Sequence, residues 1–434
     1  SGTGFDRKQP KKGPVLSEIN AELNLHPSKK ETSERPLIAT VRPEFRFDWL
    51  LLAATICLMI IGILSIVSAR SGAETDVSWY HSYGFRQGIW YLLGSAMAAG
   101  ICILDYKIFC RFSLFAYWIA IAMLVLVLIP HIGSLRFGAR RWFDLGLFQF
   151  QPSEFAKLAY IFAMAHFLER PKDELRMYNV FLKTLGMMIL PFLLVLAEPD
   201  LGSSLAFVST GLVMMYMAGV PLRYMKRVVG VGFLLVTLLF VDVVFAPEGW
   251  RLPLEDYQRR RLLVYFSQSY VSQDTPPEER KRLEQMQRTD SYNIDQALIS
   301  VGSGGLKGKG WMQGTQTSLG FLPRPVAHND FIFSVIAEEG GFLGSTLVIG
   351  LYGVIFFAGI RTASQARERL GRLLAVGVVA LLFTHVMINI GMNIRLIPVT
   401  GIPLPLLSYG GSSVICTLLA LGILQNVYLY RKNY

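Results

Sequence analysis

The chain has 434 residues, of which 17% are charged and 52% hydrophobic, with a formal net charge of +11; a soluble domain carries roughly 25% charge. With a mean hydropathy of +0.41 and recurrent charge-free stretches, it is read as an all-α polytopic membrane protein, which excludes soluble, disordered, collagenous and disulfide-stapled classes. Cys57, Cys102, Cys110 and Cys416 lie in or beside apolar runs without Cys-x-x-Cys or Cys/His ligand spacing, so they read as small core residues.

Residues 1–48 form a polar tail with nine Lys or Arg and no signal peptide, and the tail is expected to stay in the cytoplasm. Ten transmembrane helices are predicted after it, at 49–69, 87–104, 112–135, 152–168, 183–197, 201–222, 225–246, 331–360 (interrupted by Gly340-Gly341), 373–393 and 406–430, since a crossing needs about 20 apolar residues. With both termini inside, the inner short loops and C-terminus hold fifteen Lys/Arg against six in the outer short loops. That asymmetry follows the positive-inside rule. The basic charge is thereby an orientation signal, and a nucleic-acid partner is unnecessary. Between helices 7 and 8, residues 247–329 make a large outer loop of 83 residues, too long for a mere connection. Within it, 276–288 reads as a charged helix, 273–289 as an insertion and 302–310 as a glycine-rich tract.

An ionisable group at the bilayer centre costs about 2.5 to 3.5 kcal/mol, so charges near spans raise a functional question. Here Arg136, Arg140 and Arg141 with Trp142, Glu154 and Lys157, Glu198 and Asp200, Asp330, Glu338 and Glu339, and Arg395 all fall on the predicted outer side. No ATP is available there and no P-loop or dinucleotide fingerprint is present, so a reaction must draw on an already activated substrate. Each group also has an ordinary structural reading. Glu154 and Lys157, three apart after Pro152, fit an intrahelical ion pair. Residues 135–150 alternate Arg with aromatic residues as an interfacial anchor does, and Asp200 and Asp330 stand where helix caps would. The six histidines lack zinc-site spacing. The glycine and proline segments around 302–314, 401–405 and 410–413 predict non-helical backbone, which serves either to turn amides toward a phosphate or to pack as a re-entrant segment.

Together these segments resemble the SEDS family of cell-wall polymerases. The matching residues, in family order, are Arg141-Trp142 with Gln151-Pro152-Ser153-Glu154-Phe155-Ala156-Lys157; Glu198-Pro199-Asp200-Leu201-Gly202; Tyr257-Gln258-Arg259; Gly302-Ser303-Gly304-Gly305 with Gly308-Lys309-Gly310; Gly314-Thr315-Gln316 and Phe321-Leu322-Pro323; Asp330-Phe331-Ile332-Phe333 with Glu338-Glu339; and Gly401 to Pro405 through Ser408-Tyr409-Gly410-Gly411-Ser412. Gly314-Thr315-Gln316 and Phe321-Leu322-Pro323 point to the branch that serves cell elongation rather than division. The approach to Asp330, Pro323-Arg324-Pro325-Val326-Ala327-His328-Asn329, is two residues longer than the family pattern.

The resemblance covers 49–434 and implies a ten-helix SEDS membrane domain in the bacterial cytoplasmic membrane. Its implied activity is that of a peptidoglycan glycosyltransferase polymerising lipid II at the outer face, with lipid II as donor and lipid II or the glycan as acceptor. Implied partners are a class B penicillin-binding protein, a transpeptidase, and other elongation-complex membrane proteins. Asp330 is then the expected general base. Arg140, Arg141, Lys157 and Arg259 are expected to neutralise the pyrophosphate, with room for a divalent cation, Mg2+ or Mn2+, whose ligands the sequence does not name. Trp142, Glu154, Glu338 and Ser412 are expected to line the substrate site. The competing readings are a lipid II flippase and a non-catalytic scaffold for the penicillin-binding protein.

Overall fold

A computed structural model describes residues 1–4, 47–71, 79–136, 139–144, 146, 149–245, 256–266 and 277–431. All elements below belong to one unit, residues 43–434; of the other unit, residues 1–42, the described part is residues 1–4. Most of the predicted cytoplasmic tail therefore lies outside the described residues, as do 247–255 and 267–276 of the predicted loop.

Helix α1 (Trp49–Arg70) starts at Asp48, whose carboxylate accepts from the Leu51 amide at 3.2 Å. After a single 3-10 turn, Trp79–His81, α2 (Tyr83–Ile103) is capped by the Ser82 hydroxyl, as short polar side chains do for exposed amides. The short α3 (Tyr106–Arg111) leads into α4 (Ser113–Leu128). The predicted third span ran to Leu135, but the helix ends seven residues earlier because Pro130 cannot continue it. The chain then forms three antiparallel strands, β1 (Ser134–Arg136), β2 (Ala139–Asp144) and β3 (Gln149–Phe150), pairing Leu135 with Arg140 and Phe143 with Phe150. This small sheet is an addition to a mostly helical fold: the Arg/aromatic alternation has the period of a strand rather than of a helix.

Pro152 at the first helical position opens α5 (Pro152–Leu168). Helices α6 (Lys172–Leu175), α7 (Tyr178–Ala197), α8 (Leu201–Ala218) and α9 (Leu222–Phe245) follow. Within the long loop lie α10 (Asp256–Tyr265), α11 (Pro277–Ser303), α12 (Thr315–Ser318) and α13 (Arg324–Ala327). Residues 277–289 of the predicted insertion are the first turns of α11, continuous with the part that packs on the bundle. The last three helices are α14 (Ile332–Gln365), α15 (Arg369–Asn393) and α16 (Gly411–Tyr430). The predicted tenth span began at Leu406, but 401–410 is non-helical, and the helix starts only at Gly411.

Six of these helices, α1, α7, α8, α14, α15 and α16, are long and apolar enough to cross a membrane, which makes the chain a polytopic helical membrane protein. Helices α15 and α16 are the most enclosed of the six, and α15 packs against α5, α8, α14 and α16. Helix α9 instead leaves Phe233, Leu235, Val236 and Phe245 exposed, as a lipid-facing helix would.

Candidate functional site

Asp330 lies in the turn between α13 and α14, partly exposed, one residue ahead of the α14 cap position, Phe331. Its backbone carbonyl accepts from Asn389 Nδ2 at 3.0 Å and from Asn393 Nδ2 at 3.1 Å, both on α15. Asn389 also donates to the Ile402 carbonyl at 2.7 Å, so one carboxamide ties the Asp330 turn to the re-entrant segment 401–410. There Gly401, with φ +76°, comes so close that a Cβ on it would stand 3.6 Å from Asp330 Oδ2. The same turn is held from its other side: Ser408 Oγ donates to Asn329 O at 2.6 Å, and the Tyr409 amide to His328 O at 2.9 Å. Tyr83 packs edge-on to both His328 and Tyr409, with the Arg70 guanidinium 4.1 Å above its ring.

Period-2 alternation along β2 sends Arg141 to one face and its neighbours Arg140 and Trp142 to the other. Arg141 Nε donates to Glu198 O at 2.8 Å and its terminal nitrogen to Pro199 O, while NH1 lies 3.9 Å from Asp200 Oδ2. Arg141 thus clamps the turn between α7 and α8. Asp200 caps α8, accepting from the Ser203 amide at 3.0 Å, so the capping reading of that residue holds. Glu198 is fully buried, and neither carboxylate oxygen has a hydrogen-bond partner among the described residues. Burial, reinforced by Asp200 and partly offset by Arg141, pushes its carboxyl up to about 9. Arg140 and Trp142 are half-buried.

Glu154 and Lys157 form an ion pair of 2.7 Å with both side chains buried, and Lys157 Nζ lies 3.1 Å from His385 Nε2 on α15. A lysine ammonium can only donate, so His385 accepts at Nε2 and carries its proton on Nδ1. A small cavity, with room for about one water, borders this trio, lined also by Cys416 and Thr417. His385 and Asn389 are four residues apart on one face of α15, about 6 Å along its axis. The buried ion pair therefore stands about one turn below the amide that holds Asp330.

Three further residues expected at the substrate site have partners within the protein. Glu338 is fully buried, and its Oε1 accepts from Lys309 Nζ at 2.6 Å, from the Gln316 amide at 2.9 Å and from Thr315 Oγ1 at 3.2 Å. It anchors the glycine-rich segment to α14. Ser412 Oγ donates to Gln149 O at 3.0 Å and accepts from the Gln151 amide at 3.2 Å, fastening the start of α5 to the start of α16. Arg259 on α10 reaches the Val243 carbonyl at 3.3 Å, at the end of α9.

The glycine-rich segment settles between its two readings. Helix α14 breaks at Gly341, with φ 62° and ψ −158°, which leaves carbonyls and amides without helical partners. The Lys309 and Gly310 amides donate to Glu338 O and Glu339 O, each at 3.0 Å, and the Phe342 and Leu343 amides donate to Gly305 O and Leu306 O at 2.8 and 3.1 Å. The segment's amides thus repair a broken helix by re-entrant packing rather than facing outward as a phosphate cradle.

Asn389 and Asn393 were passed over in the sequence. Their signal was two amides spaced i, i+4 in an otherwise charge-free span.

Fold and site together define an integral membrane protein in which the backbone of a partly exposed aspartate is held by buried amides, near a buried ion pair and an arginine-bearing hairpin. The FTSW_RODA_SPOVE family model, described as a cell cycle protein, matches residues 48–433. The chain belongs to that family, on its RodA-like branch. It is 37% identical over 316 residues to the peptidoglycan glycosyltransferase MrdB of Escherichia coli K12, a match covering 73% of this chain and 78% of that protein. Among solved structures it resembles a chain of a peptidoglycan synthase complex described as coordinating polymerization and crosslinking, with TM-score 0.70 and 28% identity, over 90% of this chain and all of that one. It also resembles the rod shape determining protein RodA of Thermus thermophilus, with TM-score 0.60 and 27% identity, over 90% and 99% of the two chains.

Proposed function

We propose that this chain, a peptidoglycan glycosyltransferase by family and relatives, polymerises lipid II into glycan strands during cell elongation, with Asp330 as general base. Asp330 removes the proton from the acceptor's GlcNAc 4-hydroxyl as that oxygen attacks the anomeric carbon of the donor MurNAc with inversion. Undecaprenyl diphosphate leaves as an anion, so the site needs cations and one base rather than a second, acidic carboxyl. A positioned base is worth roughly 10² to 10⁴ in rate. The observation that carries this reading is a partly exposed carboxylate at a turn whose own carbonyl is pinned by two buried carboxamides.

Arg140 is the first candidate for the diphosphate, being half-buried, with Trp142 on the same strand face to stack on a sugar. Arg141 and Arg259, expected beside the diphosphate, hold backbone carbonyls of Glu198 and Val243 and keep their charge for the substrate. Lys157, closed in with Glu154 and His385, tunes the field of the cavity floor; Glu338 and Ser412 belong to the framework. Among the described residues no group of three His, Cys, Asp or Glu side chains gathers as a metal cage. The donors present suit a Mg2+ or Mn2+ ion carried mainly by substrate phosphates, with a single protein carboxylate such as Asp330; such an ion would add positive charge beside the leaving group.

The proposed topology has ten crossings with both termini in the cytoplasm, a membrane domain of 49–434, an outer loop of 247–329, and the Asp330 end facing outward. A class B penicillin-binding protein is the proposed partner. The flippase reading requires a headgroup path from the opposite end. That end is fastened by Asp48 to Arg361 at 2.5 Å, by Lys107 to Glu368 at 2.6 Å, and by Arg369 binding the Arg170 and Ala218 carbonyls.

The test is polymerisation of lipid II by the wild type and Asp330→Asn, each with its class B partner, after equal folding and complex formation are established. A loss of at least a hundredfold upholds base and activity together. Transfer of labelled lipid II between leaflets without strands would replace the reading with the flippase, and full activity in the Asn variant would reduce Asp330 to a structural residue.

A further inference from the structure

We infer that Asn389 is a positioning residue that aims the Asp330 carboxylate from the neighbouring helix; the inference rests on Asp330 being the base. The Asp330 carbonyl precedes the α14 cap, and the amide four residues on, Ser334 N, donates to Phe331 O at 3.0 Å and Asn393 Oδ1 at 3.3 Å instead. A carbonyl without a helical partner must find one elsewhere or carry its full desolvation cost. Its partners are two fully buried carboxamides on α15. A peptide plane held by two donors has little freedom to rotate, and it holds in place the Asp330 Cα from which the side chain departs.

Asn389 does more than hold one plane. Its other bond, to Ile402 O at 2.7 Å, fixes the segment whose Gly401 lies against Asp330 Oδ2. The same amide thus holds both the Asp330 backbone and the segment that brings Gly401 near its carboxylate. Asn393 is the brace: it donates to Asn389 O at 2.8 Å and accepts from Ser334 Oγ at 2.6 Å. One turn below Asn389, His385 holds Lys157, so α15 spaces the base from the buried cation. Displacing a catalytic group by about 1 Å costs on the order of 10²-fold in rate.

The experiment compares wild type, Asn389→Asp and Asn389→Leu, all nearly isosteric at this position, in lipid II polymerisation with the class B partner, reading kcat and KM separately across pH. Leu removes both donors, whereas a buried, protonated Asp keeps one. The expected order of kcat is wild type above Asp above Leu, with Asn389→Leu down about a hundredfold and KM for lipid II within threefold of wild type. Asn389→Asp should be intermediate and lose further activity as pH rises and the acid gives up its donor. Equal losses in Asp and Leu, a change in KM alone, or a Leu variant within threefold of wild type would overturn the inference. Should Asn389→Leu not fold, Ser334→Ala loosens the same network more gently and is expected to lower kcat several-fold with KM unchanged; unchanged kcat there overturns the inference as well. The Asp330→Asn control separates the two levels: if it is inactive while Asn389→Leu is normal, the base stands and only the positioning role falls.

Discussion

At the end of the bundle away from Asp330, ion pairs such as Asp48 with Arg361 and Lys107 with Glu368 stand beside side chains on carbonyls, as Arg369 on those of Arg170 and Ala218, and helices join through short turns such as 366–368. At the Asp330 end side chains bind peptide groups: Arg141 the carbonyls of Glu198 and Pro199, Asn389 those of Asp330 and Ile402, Gln87 that of Ser408, Tyr352 that of Pro405. His131, Met312, Arg395 and Leu406, described non-glycine residues with positive φ, belong to that second end. Irregular backbone near membrane depth survives only where protein groups satisfy it, and surrounding structure that over-determines it is what lets strain persist at a site. One end is built to close the bundle and the other to hold an irregular chain still.

Two glycines with similar φ and different surroundings break the comparison most severely. Gly308 (φ +79°) sits at the α14 repair, where a Cβ would stand 2.0 Å from Glu339 O; Gly219 (φ +89°), ending α8 at the other end, has nothing within 4 Å. Gly308→Ala should therefore yield little monodisperse protein in detergent, since a backbone overlap adds to the conformational cost. Gly219→Ala should carry the conformational cost alone, about 1 to 2 kcal/mol, and be read as a modest loss of thermal stability with polymerisation intact. Next in size is Lys157→Met. Removing the cation leaves Glu154 buried without its counter-charge, which costs about 3 to 5 kcal/mol. Glu154→Gln with Lys157→Met together should recover much of that stability in a double-mutant cycle, though not the activity.

These effects also separate what was legible in the sequence from what was not. The start of α5 was legible because proline favours the first helical position, and the Gly340-Gly341 interruption was legible because glycine pairs break long helices. Hydropathy alone overran α4 and α16, since Leu135 and Leu406 are apolar in whatever conformation they take; Pro130, Pro403 and Pro405 were the overriding signal. In the site, charge drew attention to Glu338, whose carboxylate is spent on Lys309 and the Gln316 amide. Neutral Asn389 escaped notice because its importance lies in a carbonyl 59 residues away, and no local pattern encodes that pairing.

Glu198 sharpens the comparison through pH. Its carboxyl is raised to about 9 from an ordinary 4.5, so between those values the folded protein keeps a proton that the unfolded chain releases. Stability is then fully present below about pH 4.5 and falls as pH rises toward 9. Glu198→Gln, neutral at every pH and of the same shape, should match wild type near pH 5 and exceed its melting temperature near pH 9. A wild-type melting temperature that rises over that interval, or a Gln variant with the same slope as wild type, would mean that Glu198 is ionised in the folded protein.

The smallest effect belongs to the far end. Lys107 and Glu368 pair at 2.6 Å, but their side chains are 37% and 26% exposed, so water screens them and the pair is worth about 0.2 to 1 kcal/mol. Lys107→Met should lower thermal stability by no more than that and leave kcat and KM unchanged, in contrast to Lys157→Met, which removes the same charge from a buried pair. Glu368 keeps a second partner, the Tyr106 hydroxyl at 3.1 Å, so its carboxylate is not stranded when the lysine goes. The pair of variants measures how far burial, rather than charge itself, separates the two ends. If Lys107→Met instead abolishes polymerisation while the protein stays folded, the far end takes part in the reaction and the division of labour between the ends is wrong.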